Sequence, residues 1–256
     1  MYFCANALAG RTVLLTGASG GIGSVTARTL GRAGASVIAQ YRDRSHIAAA
    51  AVADLPRNRR LLLPGDLGTP SGARELWRSA QAWRPVDVLV LNAAVIPSSP
   101  IDGTDEEWDA GWYAALQVNV IGSGALLREA VRAFARAGSG TAIVLSSWSA
   151  EQGSRVFDAS AYAASKAAIR NLAQTLARQY ARAGVQIHVL APGVVGVGMG
   201  VAGQDEPAAR AVAEGLIMGR TVGASELASL ITFLATGVCP SLTGATLDIN
   251  GASYIR

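Results

Sequence analysis

A tyrosine and a lysine that stand four residues apart, Tyr162 and Lys166, could carry out acid–base chemistry together. On a helix this spacing brings both side chains to one face, where an ammonium group favours the ionised form of a nearby phenol. A buried tyrosine otherwise titrates above its ordinary pKa of about 10, and a fixed cation is needed to bring it into working range. Lys166 is the only lysine among 22 basic residues. We therefore expect a proton-transfer pair rather than a solvated helix surface.

A glycine-rich turn near the start of the chain could bind a phosphate group. The segment TGASGGIG at 16 spaces Gly17, Gly21 and Gly23 between an apolar run and an amphipathic helical stretch. Glycines permit a tight turn, and they let a pyrophosphate approach the backbone N–H groups at the positive end of the helix dipole. A second apolar run, SVIAQY at 36, completes the βαβ unit that such a turn requires. The pattern predicts a dinucleotide site.

The residues that end this second run bear on the choice of dinucleotide. A carboxylate there selects NAD through the ribose 2′-hydroxyl, whereas a basic residue accommodates the 2′-phosphate of NADP. The chain places Tyr41 and Arg42 at this point, and a guanidinium can pair a phosphate through two hydrogen bonds. We expect NADP(H) as cofactor. NAD is the alternative if Arg42 is merely exposed and Asp43 or another group serves the ribose.

Seven short apolar runs alternate with helix-length segments and must position these residues. They are TVLLTG at 12, SVIAQY at 36, LLLPGD at 61, VDVLVLNAA at 86, TAIVLSS at 141, VQIHVLAPG at 185 and ATLDING at 245. Because the runs are continuously apolar, they predict a central parallel sheet of seven strands that is covered on both faces. The fold class is therefore α/β, a doubly wound Rossmann fold of three layers. We see no linker or repeat, and we expect a single domain over residues 1–256.

Two less regular segments would lie beyond the carboxyl ends of the strands, where open α/β sheets bind ligands. They run from Ile96 to Trp112 and from Pro192 to Arg210. Both are candidate substrate loops, and we expect residues 193–216 to form a mobile lid. Four side chains could line an apolar pocket or could equally pack in the core: Trp112, Trp148, Phe157 and Met199.

Composition argues against several other functions. The formal charge of +4 comes from arginines spread along the chain, and RNRR at 57 is the one dense group, so we expect no nucleic-acid partner. No apolar run is long enough to span a bilayer. Cys4 and Cys239 lie near opposite ends, and there are only two histidines, so neither a disulfide nor a metal site is expected. The first residues lack the pattern of a secretory signal, and we expect a cytoplasmic protein.

Eight segments match a known family in their order and approximate spacing. They are TGASGGIG at 16, GDL at 65, LNAA at 91, VNVIG at 118, VLSSWSA at 144, YAASK at 162, APG at 191 and TGATLDING at 243. Over nearly its whole length, the chain thus resembles the short-chain dehydrogenases/reductases. The resemblance implies hydride transfer between a nicotinamide cofactor and a small carbonyl or alcohol substrate. It also implies a homodimer or homotetramer, with the C-terminal segment LTGATLDINGASYIR as a candidate interface.

The resemblance further implies roles for individual residues. The catalytic tetrad would consist of Asn119, Ser147, Tyr162 and Lys166. Ser147 would polarise the substrate carbonyl, and Asn119 would hold a water that links Lys166 to solvent. The cofactor would be bound by Tyr162 and Lys166 and by Thr16, Gly17, Ser19, Gly21, Ile22, Gly23, Tyr41, Arg42, Asp66, Leu67, Asn92, Ala93, Ala94, Pro192, Gly193 and Val195.

Two details of this resemblance stay open. The gap from Ser147 to Tyr162 is slightly longer than the family usually shows, so Ser149 is the alternative catalytic serine. We prefer Ser147 because it lies at the end of the run TAIVLSS. The family often has a threonine soon after Pro-Gly that binds the nicotinamide carboxamide, but this chain has Val197 in that region. Backbone groups near Val195 would then take over this contact.

Taken together, the residues and the resemblance predict one function and leave an alternative. We expect an NADP(H)-preferring oxidoreductase that interconverts a carbonyl and an alcohol. Tyr162 would act as general acid in reduction and as general base in oxidation. The alternative is a non-catalytic sensor or scaffold protein that binds the cofactor on the same fold.

Overall fold

The computed structural model describes residues 6–198 and 206–255, and its strands coincide with the seven apolar runs. The strands are β1 (Thr12–Leu15), β2 (Ser36–Tyr41), β3 (Arg60–Pro64), β4 (Val88–Leu91), β5 (Gly140–Leu145), β6 (Val185–Pro192) and β7 (Thr246–Ile249). They form one parallel sheet in the order β3-β2-β1-β4-β5-β6-β7. The predicted doubly wound α/β class is confirmed.

Helices connect the strands and cover the sheet. In the described ranges they are α1 (Gly21–Arg32), α2 (Ser45–Ala51), α3 (Pro70–Trp83), α4 (Asp105–Leu116), α5 (Ser123–Ala137), α6 (Ser149–Gln152), α7 (Ser160–Tyr180), α8 (Glu206–Glu214) and α9 (Ala224–Ala235). One turn of π-helix, Gln117–Gly122, joins α4 to α5. None of the helices in residues 6–198 and 206–255 is long and apolar enough to cross a membrane.

Both faces of the sheet are buried, which explains why the strands are apolar without alternation. In β1, Leu14 packs with residues of α3, α5 and α7 on one face. Its neighbours Val13 and Leu15 point to the other face and pack with α1, α2 and α9. Parallel sheets require this double cover because their connecting helices lie on the two faces.

The order of the strands reverses between β1 and β4, and this reversal creates the ligand-binding crevice. From β1 the chain proceeds outward through β2 and β3, and then returns to the other side of β1 with β4. The connections after β1 and β4 therefore separate at the carboxyl edge of the sheet. In open α/β sheets, ligands bind at such a switch point.

Part of the segment 96–112, which we expected to be irregular, is helical because a capping box starts α4 at Asp105. The Thr104 hydroxyl accepts a hydrogen bond from the backbone N–H of Glu107 at 3.2 Å. In return, the Glu107 carboxylate accepts one from the backbone N–H of Thr104 at 2.9 Å. Acidic side chains in the first turn also stabilise the positive end of the helix dipole. Only residues 96–104 remain irregular.

The second expected loop, Pro192 to Arg210, is likewise partly helical, because α8 begins at Glu206. Residues 199–205 lie outside the described residues, as do Met199 and Cys4, so the structure gives no account of the predicted lid as a whole. The RNRR group at 57 forms a short 3₁₀ turn before β3. Arg57 and Asn58 are exposed, whereas Arg60 is the first residue of β3 and is half-buried.

Candidate active site

A cavity of about 1050 Å³ opens at the carboxyl edge of the sheet. Its wall is formed by the segments that follow β1 to β6, together with the end of α8. We call the end beside β1, β2 and β3 the nucleotide end, because the sequence predicts a dinucleotide there. A second end lies beside β5, β6 and α8. Most of the catalytic and cofactor-binding residues that the sequence singled out lie in this one wall.

The glycine-rich turn after β1 forms the floor at the nucleotide end. Gly17 has φ of 68°, a left-handed conformation that favours glycine. Gly23 faces the turn closely, and a Cβ at this position would overlap the Gly17 carbonyl oxygen. α1 begins at Gly21, so its first backbone N–H groups have no partner within the helix. These N–H groups lie in the cavity wall, where they can donate to an anion.

Hydrogen bonds between the ends of β1 and β4 hold this turn in place. The buried Thr16 hydroxyl accepts hydrogen bonds from the backbone N–H groups of Asn92 and Ala93, both at 3.0 Å. The Asn92 amide in turn donates to the carbonyl oxygens of Thr16 at 2.9 Å and Gly17 at 3.2 Å. Asn92 and Ala93 line the cavity, whereas Thr16 lies behind it. Thr16 therefore supports the turn rather than a ligand.

Gln40 is a site residue that the sequence interpretation missed. Its side chain is buried; the carbonyl oxygen accepts from the Gly17 N–H at 2.8 Å, and the amide donates to the Gly65 carbonyl oxygen at 2.7 Å. It thereby links the turn after β1 to the segment after β3, and it lines the cavity. The signal was a polar residue inside the otherwise apolar run SVIAQY. Tyr41, which we had expected at the cofactor, instead packs against the core on the other face of β2.

Charged side chains lie at the outer part of the nucleotide end. Arg42, Asp43 and Arg44 follow β2 in the cavity wall, and Asp66 follows β3. The Arg42 Nε lies 2.6 Å from a carboxylate oxygen of Asp43, and this hydrogen bond raises the pKa of the guanidinium. Both side chains are more than 60% exposed, at 62% and 68%, so water screens the pair. Arg44 is a second cation that the sequence interpretation did not single out.

Tyr162 lies on the first turn of α7 and points into the cavity, where Ser147 at the end of β5 contacts it. Burial raises the pKa of the phenol to about 12, and a hydrogen bond with Ser147 acts in the opposite direction. Such a lowering means that the serine stabilises the phenolate by donating to it. Burial outweighs this effect. We expected Lys166 to bring the pKa of this phenol into working range. The protein groups by themselves leave the pKa above its ordinary value of about 10.

Lys166 lies one helical turn after Tyr162 on the same face of α7, with its Nζ 5.7 Å from the centre of the phenol ring. The ammonium donates to the Leu145 carbonyl oxygen at the end of β5, at 2.7 Å. Full burial lowers the pKa of Lys166 to about 8, so the group remains mostly charged at neutral pH. An ammonium has three N–H donors, and the remaining two have no described protein acceptor.

The two candidate serines occupy different positions in one hydrogen-bonded chain. Ser149, the first residue of α6, donates its hydroxyl proton to the Ser147 Oγ at 2.9 Å. The backbone N–H of Ser149 donates to the same Oγ at 3.2 Å. Both lone pairs of the Ser147 hydroxyl are then occupied, so its own proton must point away from Ser149. That leaves Tyr162, or a substrate oxygen beside it, as the acceptor.

Asn119 lies in the π-helical turn and does not line the cavity. Its amide exchanges two hydrogen bonds with the backbone of Val95, each 2.9 Å long. The second amide proton goes to the Ser165 hydroxyl, also at 2.9 Å, and that hydroxyl donates to the Tyr162 carbonyl oxygen. Both amide protons are thus used by protein groups, and a water at Asn119, as expected from the sequence, would have to donate to one of its oxygens. Asn119 instead fixes the segment after β4 against the start of α7.

The other end of the cavity has an apolar part beside the polar side chains that follow β5. Trp148 and Val156 line it, with Ala211, Val212 and Leu216 from the region of α8. Trp112 contacts Trp108 and does not line the cavity, and Phe157 is 84% exposed outside it. Of the three apolar candidates within the described residues, Trp148 alone lies in the cavity wall; the fourth, Met199, is outside the described residues.

The structure thus brings most of the predicted site residues to one cavity. Those in its wall are Gly17, Ser19, Gly21, Ile22, Gly23, Arg42, Asp66, Leu67, Asn92, Ala93, Ala94, Ser147, Tyr162, Lys166, Pro192, Gly193 and Val195. Thr16, Tyr41 and Asn119 are outside the wall. Within the described ranges, no group of three His, Cys, Asp or Glu side chains could hold a metal ion.

Comparison with known proteins agrees with this geometry. A family model described as short chain dehydrogenase matches residues 11–207. The chain is 31% identical to a cis-4-hydroxycyclohexanecarboxylate dehydrogenase of Sinomonas cyclohexanicum, covering 96% of this chain and 97% of the relative. It is 32% identical to a 3-oxoacyl-[acyl-carrier-protein] reductase of Escherichia coli strain K12, covering 96% and 98%.

A solved structure extends the similarity to three dimensions. A 3-oxoacyl (acyl-carrier-protein) reductase from Agrobacterium tumefaciens C58, crystallised with NADP bound, superimposes with a TM-score of 0.84 at 31% identity. The match covers 95% of this chain and 94% of that one. The protein belongs to the short-chain dehydrogenases, a family of oxidoreductases.

Proposed function

We propose that this protein transfers a hydride between NADP(H) and a small carbonyl or alcohol substrate, with Tyr162 as the general acid and base. One observation carries the proposal: a buried phenol contacts Ser147 and lies near the Lys166 ammonium, in the same cavity as a phosphate-binding turn. A protein that only senses the cofactor has no need of a buried cation beside a buried phenol. Such a pair is costly to desolvate, which favours a catalytic role.

The residues of the cavity fit a dinucleotide. A side chain at Gly23 would overlap the Gly17 carbonyl oxygen, so the tight turn requires glycine there. The N–H groups at the start of α1 suit a pyrophosphate. The two free N–H donors of Lys166 suit ribose hydroxyls. Pro192, Gly193 and Val195 line the wall after β6, where backbone groups suit a carboxamide. A bound nicotinamide would supply the hydride in reduction and accept it in oxidation.

The preference for NADP(H) rests on two arginines. Arg42 and Arg44 line the cavity after β2, and guanidinium groups pair well with a 2′-phosphate. Asp43 is paired with Arg42, which leaves this carboxylate less able to accept from a free 2′-hydroxyl. The NADP bound to the Agrobacterium reductase supports the same choice.

Replacing both arginines tests this preference. In Arg42→Gln and Arg44→Gln variants, we expect the KM for NADPH to rise about tenfold or more, because each loses a hydrogen bond between charged groups. The KM for NADH should change little. Steady-state kinetics with both cofactors provide the measurement, and an equal rise for NADH would contradict the assignment.

We derive the proton transfer as follows. In reduction, Ser147 donates a hydrogen bond to the substrate carbonyl oxygen, because its proton is directed away from Ser149. Tyr162 donates its phenolic proton to the same oxygen as the carbon becomes a carbinol. The Lys166 ammonium, held on the Leu145 carbonyl, offsets the negative charge that develops on the phenol. In oxidation the phenolate of Tyr162 accepts the hydroxyl proton of the substrate as the hydride leaves the carbinol carbon for the nicotinamide.

The names of the similar proteins suggest the reacting group of the substrate. The similar proteins are named for a ring hydroxy acid and for 3-oxoacyl groups, and both contain a secondary alcohol or its ketone. We propose the same reacting group here. We further propose that residues 1–256 form a single domain and that the protein is a cytoplasmic homodimer or homotetramer. We propose no nucleic-acid or membrane partner.

Replacing Tyr162 with phenylalanine tests the proposed function. The Tyr162→Phe variant should lose turnover by about 100-fold or more, the usual worth of a general acid, while NADPH binding measured by fluorescence stays close to wild type. Tyr113→Phe is the matched control, since Tyr113 is 68% exposed on α4. Near-normal turnover in Tyr162→Phe would refute the assignment. Wild-type protein that binds NADPH but reduces no member of a broad carbonyl panel would favour the sensor.

A further inference from the structure

One charged side chain in the cavity wall, Arg155, has no part in the proposed function. It lies between α6 and α7 and lines the cavity beside Ser154 and Val156. Its guanidinium carbon lies 5.0 Å from the centre of the Trp148 ring. Trp148 immediately follows Ser147, so this stacking places a cation near the substrate end of the site.

The other charges of the described wall are either distant along the cavity or already assigned. Arg42, Asp43, Arg44 and Asp66 follow β2 and β3 at the nucleotide end. At the opposite end, Lys166 is the only other charged residue of the described wall, and it is held on Leu145. None of the ion pairs between described residues includes Arg155. Among the described residues, its charge therefore has no carboxylate partner in an ion pair.

Arg155 is exposed, and the cavity wall that follows α6 is mixed in polarity: Gln152 and Ser154 are polar, whereas Val156 is apolar. Apolar side chains of other segments also line the cavity, among them Ile96 and Leu216. A guanidinium that stacks on an aromatic face is oriented, and its edge keeps the planar fork that matches carboxylate and phosphate oxygens. One oriented cation in a wall that also offers apolar side chains suits a molecule that has an apolar part and one anionic group.

We propose that Arg155 binds an anionic group of the substrate, so that the protein acts on carbonyl or hydroxy compounds that carry a carboxylate or a phosphate. This inference rests on the proposed function and names the substrate class of the same site. Arg155 acts on specificity: it binds a part of the substrate remote from the reacting carbon and selects anionic over neutral substrates. A bidentate pair at this site should favour the anion by about 10-fold to 100-fold.

The test compares matched pairs of substrates that differ in charge. The carboxylate pair is 4-oxocyclohexanecarboxylate and its methyl ester. The phosphate pair is acetoacetyl-coenzyme A and acetoacetyl-N-acetylcysteamine, which has the same reacting group but no phosphate. For each pair, kcat/KM is measured with NADPH, and the ratio of anionic to neutral substrate is the readout.

Three variants isolate the contribution of the guanidinium. In Arg155→Gln the ratio should fall about tenfold or more in the pair whose anion is bound, through a higher KM for the anionic member. Arg155→Lys should retain part of the ratio because it keeps the charge without the fork. Arg178→Gln, at an exposed arginine near the end of α7, should leave the ratio at its wild-type value.

The outcomes distinguish the role of Arg155 from the proposed oxidoreductase function. A fall confined to the carboxylate pair identifies an oxo acid substrate, and a fall confined to the phosphate pair identifies a phosphate-bearing thioester. Wild-type turnover with no preference for either anion, or a preference that survives in Arg155→Gln, overturns the role of Arg155 and leaves the oxidoreductase intact. No turnover of any of the four probes counts against both proposals.

Discussion

At the scale of single residues, the site depends on buried polar groups whose hydrogen-bond partners fix the direction in which each proton is donated. Ser147 accepts two hydrogen bonds from Ser149, so it must donate towards Tyr162 or the substrate. Asn119 uses its whole amide on Val95 and Ser165. These bonds fix geometry before a ligand arrives, which is the condition for stabilising charge without reorganisation.

Removing the Ser149 hydroxyl tests whether it orients Ser147. In Ser149→Ala the Ser147 hydroxyl can also rotate its proton away from Tyr162 and the substrate. We therefore expect kcat to fall about tenfold, which is less than for loss of a direct donor. The Tyr162 phenol also receives a weaker hydrogen bond, and its pKa rises. The alkaline limb of the oxidation rate should therefore move to higher pH. Ser149→Thr keeps a hydroxyl and should restore both kcat and the position of the alkaline limb. A lower kcat in Ser149→Ala with the alkaline limb at its wild-type pH would indicate that Ser149 has a structural role only.

Buried Lys166 should make stability depend on pH. Its pKa falls from 10.5 to about 8 on burial, so between these values the unfolded chain binds more protons than the folded one. The Lys166 contribution therefore destabilises the fold below pH 8, and stability rises as the pH increases from 8 to 10.5. Tyr162, whose pKa is raised to about 12, acts in the opposite direction only above about pH 10.

Replacing Lys166 with methionine tests the direction of this dependence of stability on pH. We expect Lys166→Met, measured without cofactor, to melt at a higher temperature than wild type at pH 7, because no charge is buried. The difference should shrink between pH 8 and pH 10 as wild-type Lys166 loses its proton. A difference in Tm that is constant over this range would show that Lys166 does not titrate as described.

At the scale of elements, the ends of the strands matter more than their interiors. The turn from β1 to α1 is tied to β4 through Thr16 and Asn92, and to β2 through Gln40. The end of β5 is tied to α7 through the Ser146 hydroxyl, which donates to the Lys166 carbonyl oxygen at 2.9 Å. The proposed phosphate-binding turn and the proposed catalytic side chains are thus held by neighbouring connections of one sheet edge.

An alanine at Gly23 tests the geometry of the turn. Its Cβ would overlap the Gly17 carbonyl oxygen and crowd the Asn92 amide, so the turn must shift away from the cofactor. We expect kcat/KM for NADPH to fall about 100-fold, the usual effect of a displacement of about 1 Å at a reacting site. The control is Gly223→Ala, whose Cβ would lie 3.5 Å from its nearest neighbour. Equal cofactor binding in Gly23→Ala would contradict this account of the turn.

At the scale of the whole molecule, sequence patterns were sufficient where burial decides the structure. Continuous apolar runs predicted all seven strands because both faces of the sheet are covered. The same reasoning failed for side chains at strand ends. It assigned Tyr41 to the cofactor, although Gln40 occupies the side of β2 that faces the turn, and alternation in a strand allows only one of the two.

Residues in the connecting loops were a second group that the sequence patterns could not place. Arg44 and Arg155 reach the cavity through connections whose path no periodicity reveals, and Thr16 and Asn119 act through backbone groups that the fold brings together. One signal was readable: the sequence TDEE at Thr104 has the spacing of a capping box and marks the start of α4.

The most direct measurement of the central claim follows the hydride itself. NADPH labelled with deuterium at nicotinamide C4 is incubated with a carbonyl panel, and the alcohol products are examined by mass spectrometry. The account predicts deuterium at the carbinol carbon with wild-type protein and almost none with Tyr162→Phe at equal cofactor occupancy. Label transfer by Tyr162→Phe at the wild-type rate, or no transfer by the wild type to any carbonyl, would contradict it.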